Sequence, residues 1–359
     1  MRKRVPSGRG VVAWVLVAAC EVAACGGASR GDVAADPSAT ALPTATAQPA
    51  QGEPVLPVRL VDGTGATVTV SSVERIIPVD GDLAEIVFAL GLGDRVVATD
   101  LSATYPAAAD ALPEIGYQRA LTPEPIAAME PTVVLATDLA RPVETLEQLR
   151  DLGIAVVVIE RVMSLDGFAA KVQAVADALG VPARGAALVA QMQADVARAR
   201  VAAAQLTTAP RVLALYLRGD QTQLIFGAGT GVDAVLSAVG AVDVAAELGV
   251  VDTQQLTAEA VLLAAPDVLL VTTSGLASVG GVEGLLAIPG LGQTADGRRP
   301  HVLAYEDQYL LGGGPRVGLL LLELIDDLAA LPTATAIASE PTPDEPTPDE
   351  SIPTTEGTP

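Results

Sequence analysis

The sequence predicts an α/β fold of two similar Rossmann-like lobes joined by a long linking helix. Two observations predict it: apolar strand-like runs alternate with helical segments, and one helix–strand unit occurs twice. The length of 359 residues also exceeds what one compact domain usually holds. Half of the residues are apolar and only 3% are aromatic, so we expect a large core of Ala, Val and Leu.

The charge excludes one class of partner. The formal net charge is -22, and no basic run occurs after the first ten residues. Such a surface cannot neutralise phosphates over an extended contact, so we expect no nucleic-acid binding.

The N-terminus is typical of an export signal. Basic residues precede the apolar run "VVAWVLVAA", which is too short to span a bilayer. The run ends in "VAAC", and the same four residues recur five positions later. These two copies contain the only cysteines of the sequence, Cys20 and Cys25. Small residues before a cysteine resemble the bacterial lipobox, which implies lipidation at Cys20, with Cys25 as the alternative. An ordinary secretory signal is the other interpretation.

The composition shifts at both ends of the predicted body. The segment after the signal is rich in Ala, Thr and Pro, and the C-terminus repeats "PTPDE" in tandem, so neither can bury enough apolar surface to order itself. The predicted parts are a lipoprotein signal peptide (1–20), a disordered tether (21–57), an N-terminal lobe (58–181), a linking helix (182–206), a C-terminal lobe (207–331) and a disordered Pro/Thr-rich tail (332–359).

Within the N-terminal lobe, strands and helices alternate. "VERIIPV" predicts a strand, and Asp80 or Asp82 can cap the following helix, which Gly91 ends. "RVVATD", "TVVLATD" and "IAVVVIE" are continuous apolar runs, typical of parallel strands covered on both faces. Ser164 caps the next long helix and Gly180 ends it.

Pro182 begins the linking helix, which could be about 35 Å long at about 1.5 Å per residue. After it, "RVLALYL", "DVLLVTT" and "HVLAYED" predict the strands of the second lobe. The internal repeat joins the two lobes: "LTPEPIAAMEPTVVLATD" (121–138) aligns without gaps to "LTAEAVLLAAPDVLLVTT" (256–273), 135 residues later.

This layout resembles the helix-linked class of bacterial substrate-binding proteins, which deliver metal chelates to ABC importers. More narrowly, "RIIPVDGDLAEIVFALGLGDRVVATDLSATYP", "LPEIGYQRALTPEPIAAMEPTVVLATD" and "YLLGGGPRVGLLLLELIDDL" are similar to the haem-binding lipoproteins of haem importers. The resemblance covers about residues 70–331, and "GYQRAL" is its most specific part.

The resemblance implies that haem is the transported ligand and that Tyr117 and Tyr216 are its iron ligands. Ferric iron suits an anionic phenolate, and a guanidinium two residues away can favour the charged form of a phenol. Arg119 and Arg218 stand at that spacing, where the side chains of an extended segment point the same way. Tyr216 could instead cap a core with its hydroxyl exposed.

The same arginines could bind haem propionates, which are carboxylates. Arg316 in "GGGPR" is a further candidate, although Gly-Pro there could simply start a helix beside a solvated arginine. His301, the only histidine, lies outside the matching motifs, and we do not expect it to bind iron.

In the resembled class, one surface glutamate per lobe docks onto the two permease subunits, which implies this role for Glu124 and Glu259. The alternative is that each glutamate only favours the positive end of its helix. "FGAGTGVD" lacks the lysine and the spacing of a phosphate-binding loop, and no catalytic triad can be assembled from one histidine.

The sequence therefore predicts an exported, lipid-anchored monomer that binds haem and delivers it to an ABC permease dimer with its ATPase, without catalysing a reaction. One alternative is a ferric siderophore or cobalamin on the same architecture. However, such pockets usually use several aromatics, and the only tryptophan, Trp14, falls in the signal. The other alternative, of a different class, is an anchored surface enzyme or adhesin.

Overall fold

The computed structural model describes residues 52–292 and 299–331. The predicted signal peptide with Cys20 and Cys25, most of the predicted tether and the predicted tail lie outside these residues. The boundaries predicted for those segments therefore stay predictions.

The N-terminal half forms a small parallel sheet with its helices, called the N-lobe below. Its strands are β1 (Val58–Val61), β2 (Thr67–Val70), β3 (Ile76–Val79), β4 (Val133–Thr137) and β5 (Ala155–Ile159). Its helices are α1 (Gly81–Ala89), α2 (Ala107–Asp110), α3 (Pro123–Ala128), α4 (Val143–Asp151) and α5 (Leu165–Ala178).

The order of the parallel strands is β3-β4-β5, and β1 with β2 forms a separate antiparallel hairpin. Every residue of β4 is buried, as expected for an apolar strand covered on both faces. The predicted strand "RVVATD" is reduced to isolated bridges, in which Val96 pairs with Ile76 and Thr99 pairs with Glu114. This segment extends the sheet beyond β3 without forming a full ladder.

A 22-residue helix, α6 (Pro182–Ala203), follows the N-lobe. It begins at the predicted proline and ends before Leu206, and at about 1.5 Å per residue it is roughly 33 Å long. Ser164 caps the preceding helix α5 as predicted, because its hydroxyl accepts a hydrogen bond from the Gly167 N–H at 3.0 Å.

The C-terminal half, called the C-lobe, has a larger mixed sheet. Its strands are β6 (Arg211–Arg218), β7 (Thr222–Phe226), β8 (Val242–Asp243), β9 (Thr253–Gln255), β10 (Val268–Thr272) and β11 (His301–Tyr305). Its helices are α7 (Gly231–Ala238), α8 (Val244–Glu247), α9 (Ala258–Ala264), α10 (Thr273–Ser278), α11 (Gly281–Ala287), α12 (Asp307–Leu311) and α13 (Val317–Ala329).

The strand order of the C-lobe is β11-β10-β6-β7-β9, with β8 paired to β6. The strands β6, β8, β10 and β11 run parallel, whereas β7 is antiparallel to both β6 and β9. The three predicted apolar runs form β6, β10 and β11. The antiparallel strands β7 and β9 were not predicted, because β7 is only partly buried, β9 is exposed and neither has a continuous apolar run.

The internal repeat is also present in the structure. Its first copy forms α3 and β4, and its second forms α9 and β10. Each helix is followed at the same repeat position by a left-handed residue, Glu130 with φ 47° and Ala265 with φ 43°. Since non-glycine residues rarely adopt this conformation, its recurrence shows that the two copies share backbone geometry as well as sequence pattern.

One apolar cluster runs through both lobes. It combines buried side chains of β3 and β4 with those of β6 and β10, through the helices α5, α6 and α13. Phe168 of α5 packs on Gly313 of the C-lobe, where a Cβ atom would lie 2.5 Å from the ring and φ is +57°. Two further large apolar clusters lie one in each lobe, and a small cluster of three alanines lies in the N-lobe. The predicted fold class is therefore confirmed, and its lobes share their largest core.

Candidate functional site

Segments that follow the parallel strands of the two lobes contact each other at the carboxyl ends of those strands. Thr104, in a loop beyond the N-lobe sheet, donates its hydroxyl to Glu306 Oε1 at 2.7 Å, directly after β11. The Tyr105 N–H donates to Gln308 Oε1 at 2.9 Å, and Gln308 Nε2 donates to the Gly81 carbonyl at 2.8 Å. Ligands of open α/β sheets bind beyond the carboxyl ends of the strands, so this junction is where a ligand is expected.

Tyr117 lies at this edge of the N-lobe. The preceding residues run parallel to 99–101, since the Ile115 N–H donates to the Thr99 carbonyl and the Leu101 N–H donates to the Gly116 carbonyl, both at 2.9 Å. The chain then leaves the sheet, and the Tyr117 side chain is 40% exposed. A phenol in this position is accessible to a ligand.

The loop that follows Tyr117 is held by the chain beyond β4. The Arg141 N–H donates to the Gln118 carbonyl at 2.8 Å, and the Leu121 N–H donates to the Arg141 carbonyl at 2.7 Å. Burial raises the pKa of the Asp100 carboxyl to about 6, although hydrogen bonds from Ser102 and the Gln118 N–H favour its charged form. These contacts fix the backbone beside Tyr117.

Arg119 does not take the position expected from the Tyr-x-Arg spacing. The segment forms a turn closed by the Ala120 N–H and the Tyr117 carbonyl at 2.8 Å, so it is not extended. Within residues 52–292 and 299–331, no hydrogen bond, ion pair or ring contact involves the Arg119 side chain, which is exposed.

The second Tyr-x-Arg pair has the expected extended geometry. Tyr216 and Arg218 point to the same side of β6, near its carboxyl end, and the Arg218 Cζ atom lies 4.4 Å from the centre of the Tyr216 ring. The Phe226 ring meets Tyr216 edge-on, with 6.2 Å between centroids. Arg218 therefore stacks on the face of the ring, a cation–π contact, instead of donating to the hydroxyl.

Asp307 holds Arg218 in that position. Arg218 Nη2 donates to Asp307 Oδ1 at 2.6 Å, and Nη1 donates to the Leu217 carbonyl at 2.8 Å. The same carboxylate accepts a hydrogen bond from the Ser274 hydroxyl at 2.6 Å, which ties the first turn of α10 to the arginine. Asp307 was not predicted from the sequence, because its partner Arg218 lies 89 residues away.

Arg316 is engaged by other groups. Its Nε and Nη2 atoms donate to the two carboxylate oxygens of buried Glu85, each at 2.9 Å. Its Cζ atom lies 3.6 Å from the centre of the Tyr105 ring and 4.7 Å from that of Tyr309. The guanidinium thus joins α1 of the N-lobe to the C-lobe, and the haem-supporting role of Arg316 stays a prediction. We call Glu85, Arg316, Gln308, Tyr105 and Tyr309 the cross-lobe contact.

A buried charge cluster lies beside the cross-lobe contact. Lys171 donates to the Asp82 carboxylate and to the Gly312 carbonyl, and both charged side chains are at most 5% exposed. Burial, with Asp82 and Asp100 nearby, raises the pKa of the Asp80 carboxyl well above its usual value, against the lowering effects of Lys171 and the Thr137 hydroxyl. Asp80 stands at the N-cap of α1 as predicted, but its side chain accepts from Thr137 and makes no cap hydrogen bond.

The predicted docking glutamates are both exposed, each in the first turn of its repeat helix, Glu124 in α3 and Glu259 in α9. The Thr257 hydroxyl caps α9 by accepting from the Ala260 N–H at 3.2 Å, whereas the Thr122 side chain makes no such bond. His301 is the first residue of β11, at the edge opposite the carboxyl ends.

In the part of the chain that the structure describes, no group of three or more His, Cys, Asp or Glu side chains could hold a metal ion. In the same part, none of the helices has both the length and the apolar character needed to cross a membrane.

Comparison with known families identifies the fold. Residues 76–309, more than half of the chain, match the family described as periplasmic binding protein. The chain belongs to this family. The expected resemblance to substrate-binding proteins is thus confirmed, and the family consists of binding proteins of transport systems.

Among solved structures, the periplasmic heme-binding protein RhuT from Roseiflexus sp. RS-1 is 46% identical, over 72% of this chain and 100% of that chain, with a TM-score of 0.70. The heme-binding protein HmuT is 32% identical, over 78% of this chain and 93% of that chain, with a TM-score of 0.73. Structures of HmuT also exist with a tyrosine, or the residue two positions later, an arginine, replaced by alanine.

Curated relatives extend the comparison to lipoproteins. The ABC transporter substrate-binding lipoprotein YvrC of Bacillus subtilis is 26% identical over 281 residues, 77% of this chain and 82% of that protein. The vitamin B12-binding protein of Vibrio parahaemolyticus matches at 32% identity over only 84 residues, 23% of this chain and 30% of that protein. The cobalamin alternative therefore has support from a short segment alone.

Proposed function

We propose that this periplasmic binding protein binds haem between its lobes and delivers it to an ABC permease. The observation that carries the proposal is the 46% identity to a heme-binding protein over the whole length of that protein. The site adds chemical support, because Tyr117 of the N-lobe and Tyr216 of the C-lobe lie at the carboxyl edges of their lobes. Haem brings its own iron, so the chain needs to supply only axial ligands and groups that grip the porphyrin.

Tyr117 is the leading iron ligand in this proposal, because its phenol is the more exposed of the two. Tyr216 is the C-lobe counterpart, and Arg218 supports it across the ring face. The HmuT variants replace a tyrosine and an arginine at the same spacing as this pair. Arg119 stays a candidate for supporting the Tyr117 phenolate or for binding a propionate.

A haemin titration tests the proposal. We expect the purified protein to shift the Soret band of haemin, and Tyr117→Phe to change that spectrum and weaken binding at least roughly tenfold. A direct iron ligand contributes more than outer-shell partners, whose loss already costs about 10- to 100-fold. Tyr216→Phe measures the C-lobe contribution in the same assay. Tyr105→Phe is the matched control, because it removes an exposed phenol hydroxyl while keeping the ring on Arg316.

A Soret band that does not move with wild-type protein rules out haem as the ligand. A spectrum and affinity that are the same in the wild-type and Tyr117→Phe proteins would keep haem but remove Tyr117 as its ligand. Repeating the titration with cyanocobalamin and a ferric siderophore tests the alternatives on the same fold.

Delivery is proposed to use Glu124 and Glu259 as anchors on a permease dimer with its ATPase. A protein with a duplicated helix can place one carboxylate on each subunit of a symmetric partner. The chain is proposed to act as an exported monomer anchored through a lipid at Cys20, or alternatively Cys25, and to catalyse no reaction.

Charge reversal tests the anchors. We expect Glu124→Arg combined with Glu259→Arg to abolish haem-dependent growth of the host while leaving haemin titrations unchanged. Both side chains are exposed in the first turns of α3 and α9, and within the described residues neither contacts Tyr117 or Tyr216. Glu114→Arg, also an exposed glutamate of the N-lobe, is the matched single control. Normal growth with the double variant would exclude these glutamates as anchors.

A further inference from the structure

Arg141 lies beside the Tyr117 loop and was not singled out from the sequence. Its backbone pairs with Gln118 through the Arg141 N–H at 2.8 Å and with Leu121 through the Arg141 carbonyl at 2.7 Å. Arg119 lies between those two residues. The fold therefore places the backbones of two arginines side by side, next to the exposed phenol.

Both guanidiniums are available to an anion. Arg119 and Arg141 are exposed, and within the described residues neither forms an ion pair. The Arg141 side chain makes one hydrogen bond, from Nη1 to the Ala140 carbonyl at 2.8 Å, which leaves most of its five N–H donors unused. By contrast, Arg161 at the same edge is paired with Asp138 at 2.6 Å, and Arg218 across the junction is paired with Asp307 at 2.6 Å.

The protein carries a strong excess of negative charge. Its net charge is -22, because acidic side chains outnumber basic ones by 43 to 21. An arginine without a carboxylate partner is therefore a local positive charge on a protein whose overall field is negative. Two such arginines on neighbouring segments of the chain attract a carboxylate. A guanidinium can bind a carboxylate through two parallel hydrogen bonds.

We propose that Arg141, together with Arg119, forms a carboxylate-binding pair that takes a propionate group of haem on the Tyr117 side of the junction. The inference rests on the proposed function and names the part of the ligand that these residues recognise. Haem carries its propionates on one edge of the porphyrin, so this pair fixes which edge lies next to α3 and α4. The pair would also make the protein select haem over porphyrins that lack free carboxylates.

The test compares haemin with ferric protoporphyrin IX dimethyl ester, in which both propionates are esterified. Binding of each is followed through the Soret band, with the full chain in the same detergent buffer. We expect Arg141→Gln to weaken haemin binding by about 10- to 100-fold, the loss typical of a charge-assisted hydrogen bond, without changing the spectrum of the saturated complex. The ester should bind equally to wild-type protein and to Arg141→Gln.

Matched variants separate this role from general electrostatics. Arg200→Gln removes the same charge from an exposed position in the last turn of α6 and should leave haemin binding unchanged. Arg141→Lys keeps the charge but loses the planar fork, and it should recover only part of the affinity. Arg119→Gln should behave like Arg141→Gln if it belongs to the pair, whereas a loss with the ester as well would assign it to the phenolate.

Other results overturn the inference. Haemin binding by Arg141→Gln that equals that of Arg200→Gln removes the carboxylate site while the proposed function stands. Equal weakening of haemin and of the ester by Arg141→Gln shows an effect on the fold of the loop, which also removes it. Wild-type protein that binds neither porphyrin overturns the proposed function and the carboxylate pair together.

Discussion

Lys171→Met is expected to lower the free energy of unfolding by about 3–5 kcal/mol, the cost of removing one partner from a buried ion pair. Both members of the Lys171–Asp82 pair are at most 5% exposed, and Asp82 Oδ1 already lacks a hydrogen-bond partner. Without the lysine, the Asp82 carboxylate stays buried beside Asp80, and the Gly312 carbonyl loses its donor. Urea-induced unfolding followed by circular dichroism measures the change.

Two further variants make this result specific. Arg95→Met breaks the Arg95–Glu53 pair, whose glutamate is 85% exposed, and should cost about 1 kcal/mol or less. The double variant Lys171→Met with Asp82→Asn removes both charges and should recover much of the lost stability. If Lys171→Met costs no more than Arg95→Met, then water reaches the pair and the buried-charge explanation is wrong.

Glu85→Gln is the second change with a large expected effect, about 2–4 kcal/mol of unfolding free energy. The carboxylate binds Arg316 through both of its oxygens and also accepts from Gln308 Nε2 at 3.1 Å. Glutamine is neutral and has only one acceptor oxygen. The half-buried Arg316 guanidinium between Tyr105 and Tyr309 therefore loses both its counter-charge and one hydrogen-bond acceptor. Because these partners belong to different lobes, the change weakens the junction itself.

Glu53→Gln provides the comparison, since it neutralises a glutamate in an exposed pair and should change stability by about 1 kcal/mol or less. Thermal unfolding of both variants should show a large drop in midpoint for Glu85→Gln alone. Equal midpoints would mean that the cross-lobe contact adds nothing beyond an ordinary surface ion pair.

The fold was largely predictable because its main signals are local. Continuous apolar runs marked β4, β5, β6, β10 and β11, and a proline marked the start of α6. The two copies of the repeat also share a left-handed residue at the same position, Glu130 and Ala265. The side-chain pattern of the sequence alone does not reveal this backbone match. The exposed strand β9 has no apolar run, so periodicity could not identify it.

The site was predictable only in part. The two Tyr-x-Arg motifs could be read directly, but whether each is extended depends on the surrounding chain, and the first proved to be a turn. Glu85 lies 231 residues from Arg316, and Asp307 lies 89 residues from Arg218. Such pairs depend on how the two halves meet, for which a local pattern carries no signal. The contact of Arg316 with Glu85 could not be predicted for the same reason.

The apolar cluster that runs through both lobes makes each lobe depend on the other for its stability. It joins buried residues of β3, β4, β6 and β10 through α5, α6 and α13, so separating the lobes would expose those residues to water. Large exposed apolar surfaces favour association and aggregation. Neither half of this chain is therefore expected to be stable as a separate fragment.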